Sequence, residues 1–125
     1  MILGKEALAG RSAFRRGVVH VPEWGGDIQI RELSAMEKAQ AVTVATGMVD
    51  AETKSIRDAT QLIRFQTLVI VAGWVDEAGA NVLTADDATA LEEQPAAIIA
   101  RIADAITELS GLGAGEAPVD AAKNA

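Results

Sequence analysis

Hydrophobic and polar residues alternate in two short stretches near the start of the chain. Four aliphatic residues carry this alternation: Val19, Val21, Ile28 and Ile30. A period of two is typical of strands with one buried face, and the intervening pair Gly25-Gly26 can supply the positive φ angles of a tight turn. We therefore predict a β-hairpin over residues 18–33, with Pro22 at an edge position because it has no N–H to donate.

The pattern becomes helical directly after this hairpin. Ser34 and Glu37 have the spacing of a capping box, in which each side chain accepts a hydrogen bond from the other residue's backbone N–H. The helix that they open is predicted to run to about Thr46, where Gly47 offers a stop.

A second long helix follows a polar connector over residues 50–54. Its apolar stripe consists of Ile56, Ala59, Ile63 and Ile70. Apolar residues become continuous over 68–75, so the end of this helix is predicted to be buried on most sides. Trp74, in that run, is assigned to the core.

Two further helices are predicted in the C-terminal half. Thr84 is a candidate N-cap for a short helix over 85–93, which ends before Pro95. The last helix has one apolar face, made of Ile98, Ile99, Ile102, Ile106 and Leu109. Gly111 and Gly113 are expected to end it.

These elements predict an α+β fold: an N-terminal β-hairpin packed on a mostly α-helical domain of about four helices. A single domain is expected over residues 1–113, of which 34–113 form the helical part. Residues 2–10 are predicted to be a short helix and 11–17 a connector. The Ala- and Asp-containing segment 114–125 is predicted to be a disordered C-terminal tail.

Composition narrows the functional classes. The 125-residue chain has a net charge of −7 and no cysteine, which excludes disulfides, thiolate nucleophiles and Cys-ligated metals. Few aromatic residues and an acidic balance argue against nucleic acid as a partner. The longest apolar run, residues 68–75, is far below the roughly 20 residues that cross a bilayer, so no membrane partner is expected. The apolar region in residues 1–10 is interrupted by Lys5 and Glu6, so no signal peptide is expected either. We therefore expect a cytoplasmic location.

Charge is also uneven along the chain. Residues 1–33 carry five basic and four acidic groups, whereas residues 34–125 carry six basic and fourteen acidic groups. A near-neutral N-terminal region thus precedes an acidic body, whose charge we interpret as a solvated, solubilising surface.

The search for catalytic residues indicates no enzyme. His20 is the only histidine and lies in an alternating strand, so we interpret it as an ordinary strand residue. The acidic pairs near residue 76 lack the spacing of an EF-hand loop, and the glycines lack the following helix of a phosphate loop. No cofactor and no metal site are therefore expected.

The remaining class of function is binding to a partner protein. Trp24 beside a glycine turn is large and amphipathic, and tryptophan is enriched among residues that dominate binding energy. The alternative is that Trp24 folds back over the hairpin and packs on the core. The predicted partner-binding surface is the hairpin face made of Trp24, Gly25, Gly26, Ile28, Ile30 and Arg31.

The hairpin sequence resembles a known family. The run VPEWGGDIQIREL over residues 21–33, followed by a Ser-x-x-Glu helix start, is similar to the N-terminal signature of tail assembly chaperones of long-tailed phages and prophage elements. Three later pieces agree in order: Val-Asp-Glu-x-Gly at 75–79, Leu-Thr-x-Asp-Asp at 83–87 and Leu-Ser-Gly-Leu at 109–112. The resemblance covers about residues 18–113.

This resemblance implies a non-enzymatic protein of the infected bacterial cytoplasm. Such a chaperone binds the tape-measure protein, keeps it soluble while tail-tube subunits polymerise around it, and is absent from the mature virion. The major tail tube protein and further copies of the chain are additional implied partners. The family supplies no residue-level binding motif that could be transferred.

The resemblance also raises the hypothesis of a longer product. Such chaperones are often made in two lengths through programmed ribosomal slippage, and Ala122-Lys123-Asn124 can be encoded with the slippery heptamer A AAA AAC. A frameshift-extended form of the chain would then be another partner, and the gene sequence tests this directly.

Two alternative functions stay open. One is a structural virion component, such as a tail-completion or head–tail connector subunit, which would be abundant in purified particles. The other is a small hydrolase that uses His20, whose replacement would then abolish activity.

Overall fold

The two alternating stretches pair as antiparallel strands in the computed structural model, which describes residues 2–9, 14–47 and 59–112. Within those residues the strands are β1 (Arg16–Val21), β2 (Gly26–Arg31) and β3 (Trp74–Val75), and the α-helices are α1 (Ala35–Gly47), α2 (Ala59–Gly73), α3 (Ala88–Glu92) and α4 (Ala96–Leu109). The fold is thus α+β, as predicted, with the sheet built mainly from the N-terminal part of the chain.

The sheet contains a strand that the sequence pattern does not predict. Its order is β1-β2-β3, with all neighbours antiparallel. Trp74 pairs with Ile30, so the predicted helix ends at Gly73 and the chain leaves it as a two-residue strand. This corrects the assignment of Trp74 to the end of a helix and extends the hairpin to three strands.

The core lies between the sheet and helices α2 and α4. The most completely buried side chains are Val21, Val69, Ile70, Val75, Ile102 and Ile106. α2 and α4 approach closely at Gly73, where an added Cβ would lie 2.8 Å from Ile106. A side chain at Gly73 would overpack this contact, so the glycine sets the distance between the two helices.

Local helix signals in the sequence match the observed starts and stops. Ser34 and Glu37 form the predicted capping box, with Ser34 N–H to Glu37 Oε1 at 2.8 Å and Glu37 N–H to Ser34 Oγ at 3.2 Å. Thr84 caps a 3-10 turn that leads into α3. Gly111, at φ 78°, follows the end of α4.

The predictions at the two ends of the chain are tested only in part. The predicted N-terminal helix is a 3-10 helix over Lys5–Ala9. β1 begins at Arg16, so it is longer than predicted at its start. Ile56, Gly113 and the predicted tail lie outside the described residues.

Candidate functional site

The loop that joins β1 and β2 differs from the predicted Gly-Gly turn. Pro22–Trp24 form a 3-10 helix, and Gly25 N–H donates to Pro22 O at 3.0 Å. Gly25 has φ 81°, whereas Gly26 already belongs to β2 and pairs with Val21. Proline suits the first position of such a helix because its missing N–H is not needed there. The loop therefore requires one positive φ angle, at Gly25, and not two.

This loop brings Trp24 against the third strand. The rings of Trp24 and Trp74 are stacked, with their centroids 5.8 Å apart and an interplanar angle of 19°. Trp24 nevertheless keeps 37% of its surface exposed, and Trp74 is half-buried. Trp24 thus packs on Trp74 and keeps part of its side chain exposed to solvent.

The two tryptophans form part of the lining of an open groove of about 440 Å³. Its lining consists of Trp24, Trp74, Leu83, Asp87, Ala90, Leu91 and Gln94. The last four residues follow helical spacing, which places them on one side of α3 and of the turn before it. We refer to these seven residues as the tryptophan groove. Its surface is mostly apolar, and Asp87 and Gln94 add polar groups, which is the usual composition of a binding site.

An ion pair holds the tryptophan loop on α4. Both terminal nitrogens of Arg101 lie 2.8 Å from carboxylate oxygens of Glu23, and Arg101 Nη1 also donates to His20 O at 3.4 Å. The hydrogen bonds from Arg101, together with one from the backbone N–H of Glu23 itself, lower the pKa of Glu23 from 4.5 to about 2. A planar guanidinium that binds both carboxylate oxygens fixes orientation as well as distance. Glu23 and Arg101 therefore fix the base of the loop that carries Trp24.

A second Arg–Glu pair closes the opposite end of the hairpin. The Arg31 nitrogens contact both carboxylate oxygens of Glu37, at 2.9 and 3.0 Å, and Arg31 also donates to Glu32 O. The Arg31 guanidinium lies 4.6 Å from the centroid of the Phe14 ring, a cation–π contact. Burial raises the pKa of Glu37, but hydrogen bonds from Arg31 and Ser34 outweigh it, and the net pKa is lowered.

The neighbouring residues of the Arg-Glu-Leu motif also make internal contacts. Arg15 N–H donates to Glu32 at 2.9 Å, which lowers the pKa of this carboxyl. Leu33 N–H donates to Ser110 Oγ at 2.9 Å and so ties the end of the hairpin to the end of α4. The Arg-Glu-Leu part of the signature therefore joins the hairpin to the helices.

The structure divides the predicted partner-binding residues into two groups. Trp24, Gly25 and Gly26 are exposed, and Trp24 lines the groove. Ile28, Ile30 and Arg31 are buried, with 8%, 3% and 7% of their surfaces exposed. These three side chains pack into the core or pair with Glu37 and are therefore not part of the exposed surface. Partner binding by the six residues stays a prediction.

Several residues of the groove were not identified from the sequence. The sequence pattern places Trp74 in the core and indicates no binding role for Leu83, Leu91 or Gln94. Trp74 and Trp24 are fifty positions apart and become neighbours only through the pairing of β3 with β2, for which the sequence has no spacing signal. An aromatic residue at the end of an apolar run, next to a dense turn signal, is the one local hint.

The remaining candidate residues have structural roles. Asp76 Oδ1 accepts hydrogen bonds from the N–H groups of Ala78 and Ala80 and so closes its own turn. His20 is exposed, and its Nδ1 lies 2.6 Å from Asp27 Oδ1 across the hairpin. No group of three or more potential metal ligands occurs in residues 2–9, 14–47 or 59–112. Nor does this part of the chain contain a helix with the length and apolar character needed to cross a bilayer.

Comparison with known proteins gives a consistent result. A family model described as "phage tail assembly chaperone" matches residues 3–124. Among solved structures, the tail assembly chaperone of bacteriophage HK97 is similar, with a TM-score of 0.61 and 22% sequence identity, over 84% of this chain and 94% of that one. No curated protein matches. At this identity the structural likeness supports the fold, and the family match covers nearly the whole sequence.

Proposed function

This chain belongs to the phage tail assembly chaperone family, and we propose that its client is the tape-measure protein. In this role the chain binds apolar segments of the client and keeps it soluble while tail-tube subunits polymerise around it. Membership itself implies an interaction with tail proteins in a non-catalytic role. The tape-measure protein as client, and the absence of any enzymatic activity, are our proposals.

The observation that carries this proposal is the stacked tryptophan pair, with Trp24 exposed and Trp74 half-buried, in the lining of an open, mostly apolar groove. Burial of one tryptophan side chain removes about 150–250 Å² of surface from water, and tryptophan is the residue type most enriched at binding hot spots. The groove is shallow and open, so a segment can bind and leave without opening the core. Reversible burial of this kind is what a chaperone needs for a client that it later releases.

The loop geometry supports the same role because it limits the motion of Trp24 before binding. Proline restricts φ at the start of the loop, and the Glu23–Arg101 pair holds the loop on α4. A contact residue that is already held in place loses less conformational entropy when a partner binds. Trp24 is therefore a preorganised contact.

Several wider expectations belong to this proposal. The chain acts in the cytoplasm of the infected host and is absent from the mature virion. The major tail tube protein, further copies of the chain and a frameshift-extended form are additional partners. Mass spectrometry of purified particles separates this proposal from a structural virion component, since an abundant chain in the particle contradicts the chaperone role.

A client-solubility experiment tests the proposal. The tape-measure protein is expressed alone, with the wild-type chain, or with Trp24→Ser, and its soluble fraction is measured after centrifugation. We expect the wild-type chain to keep most of the client soluble and Trp24→Ser to lose most of this effect. Ala90→Gln, at an exposed helical position that lines the groove, provides a second variant with both tryptophans intact.

Met36→Ser is the matched control. Met36 is 68% exposed on α1 and is not part of the groove lining, so this change removes a large exposed apolar side chain elsewhere. Circular dichroism verifies that each variant is folded. The proposal fails if the wild-type chain does not raise the soluble fraction, or if Met36→Ser is as damaging as the two groove variants.

A further inference from the structure

Most of the tryptophan groove comes from the part of the chain in which all charged side chains are acidic. Residues 65–100 contain six acidic side chains and no lysine, arginine or histidine. Six of the seven groove residues come from this segment, and Trp24 is the exception. An apolar surface surrounded by charge of one sign attracts partners of the opposite sign.

The acidic groups nearest to the groove flank its helical wall. Asp87 is part of the lining, and its carboxylate accepts a hydrogen bond from Thr84 N–H at 2.8 Å. Asp86 and Glu93 are exposed and share a helical stripe with Ala90, which also lines the groove. A segment lying in the groove would therefore pass close to Asp86 and Glu93.

Two arginines near this segment already have partners. Arg101 contacts both carboxylate oxygens of Glu23. Arg16 donates to the backbone carbonyl of Glu77 at 3.2 Å. Within residues 2–9, 14–47 and 59–112, no ion pair joins a basic side chain to Asp86 or Glu93, so in this part of the chain the acidic flank of the groove is left for a partner to neutralise.

We propose that the tryptophan groove selects an amphipathic helix whose apolar stripe is flanked by lysine or arginine. This inference rests on the client-binding role proposed above and names the chemistry of the segment that is bound. Apolar side chains of the helix contact the two tryptophans and Leu91, and its basic side chains lie beside Asp86 and Glu93. A groove bounded by one helix receives a second helix in a common mode of peptide recognition.

Two matched peptides test this selection. Both are helical, lack aromatic residues and have the same apolar stripe, but one has lysine and the other glutamate at the flanking positions. The chain has two tryptophans, Trp24 and Trp74, and both line the groove, so intrinsic fluorescence reports binding directly. We expect the lysine peptide to bind about tenfold more tightly at low salt. The difference should shrink toward equality at 1 M salt, where the Debye length is about 3 Å.

A pair of charge-reversal variants locates the effect. Asp86→Lys combined with Glu93→Lys should abolish or reverse the preference for the lysine peptide. Asp104→Lys combined with Glu108→Lys changes the net charge equally at exposed positions of α4 outside the groove lining. This second double variant should retain most of the preference.

The outcomes separate this inference from the proposed function. If both peptides bind equally at low salt, or the glutamate peptide binds better, the inference is wrong, although client solubility can still depend on Trp24. Equal loss of preference in the two double variants also overturns it, because the effect would then reflect net charge and not the groove. If neither peptide binds, the inference fails, and the client-solubility experiment decides whether the proposed function fails with it.

Discussion

The two ends of the hairpin use the same chemistry for different purposes. At the loop end, Glu23 and Arg101 form a two-pronged ion pair in which the side chains are 43% and 39% exposed. At the opposite end, Arg31 and Glu37 form a pair of the same kind, but these side chains are 8% and 27% exposed. The first pair orients a loop that carries an exposed tryptophan, and the second joins the sheet to α1.

The difference in burial indicates that the two halves of the VPEWGGDIQIREL signature have different roles, one in the groove and one in folding. Exposed ion pairs are screened by water and contribute little to stability, so their main effect is on geometry. A buried charge without its partner is costly, so the buried pair is required for the folded state. The Pro-Glu-Trp-Gly half of the signature therefore shapes the groove, and the Arg-Glu-Leu half closes the fold.

The largest expected effect comes from breaking the buried pair. Glu37→Ala leaves the Arg31 guanidinium buried without its carboxylate and removes the acceptor of Ser34 N–H. We expect a loss of about 3 kcal/mol in the free energy of unfolding at pH 7, measured by urea denaturation. A loss no larger than that of Glu23→Ala would contradict the distinction between the two pairs.

The pH dependence of the stability of Glu37→Ala tests whether the loss comes from the ionised Glu37 carboxylate. The pKa of Glu37 is lower in the folded chain than in the unfolded one. The carboxylate therefore stabilises the fold at pH values above its ordinary pKa of about 4.3, and this contribution is lost as the pH falls through the lowered value. The stability difference between the wild-type chain and Glu37→Ala should accordingly be constant near neutral pH and shrink below about pH 4.

A smaller effect is expected from the backbone of the loop. Gly25 has φ 81°, and an added Cβ would meet no atom within 4 Å. Gly25→Ala therefore tests conformational strain without a steric clash, at a cost of about 1 kcal/mol. Gly26→Ala is the matched control, since its Cβ would also meet no atom within 4 Å and its φ is not positive. If both variants lose the same stability, the loop is not held in the conformation described here.

The sequence predicts the local elements of this fold well. The spacing of Ser34 and Glu37 predicts the start of α1, and the period of the apolar residues predicts the buried face of α4. Both signals depend only on residues a few positions apart. β3 could not be predicted in this way, since two residues inside a continuous apolar run carry no period. The sequence pattern favours a Gly-Gly turn because it does not reveal that a 3-10 helix over Pro22–Trp24 turns the chain, which leaves Gly25 as the one position with a positive φ and Gly26 in β2.

The groove could be predicted only in part, for a related reason. Trp24 was identified because a tryptophan beside a glycine is conspicuous in the sequence itself. Its partner Trp74 and the wall of α3 become part of the same surface only after the chain has folded, through contacts between residues far apart. Burial of Ile28, Ile30 and Arg31 likewise depends on which face of the hairpin meets the helices, and Arg31 is buried by pairing with Glu37 and not by hydrophobicity.

The smallest effect on stability is expected at the exposed Glu23–Arg101 pair. The titration of the Glu23 carboxyl is the more informative measurement there. Arg101→Gln removes the hydrogen bonds that lower the pKa of Glu23 to about 2. In the wild-type chain the Glu23 carboxylate keeps its bond to Arg101 from neutral pH down through the ordinary carboxyl range, and this bond is lost as the pH approaches 2. Carbon-13 NMR of the Glu23 carboxyl should show a midpoint near 2 in the wild-type chain and a clearly higher midpoint in Arg101→Gln, where the backbone N–H of Glu23 is the remaining group that lowers this pKa. The thermal midpoint should change less than in Gly25→Ala, while acrylamide quenching of tryptophan fluorescence should increase, because Trp24 is no longer held. A wild-type midpoint near the ordinary value would mean that the pair does not persist in solution, and the contrast between a loop-orienting and a fold-closing ion pair would be lost.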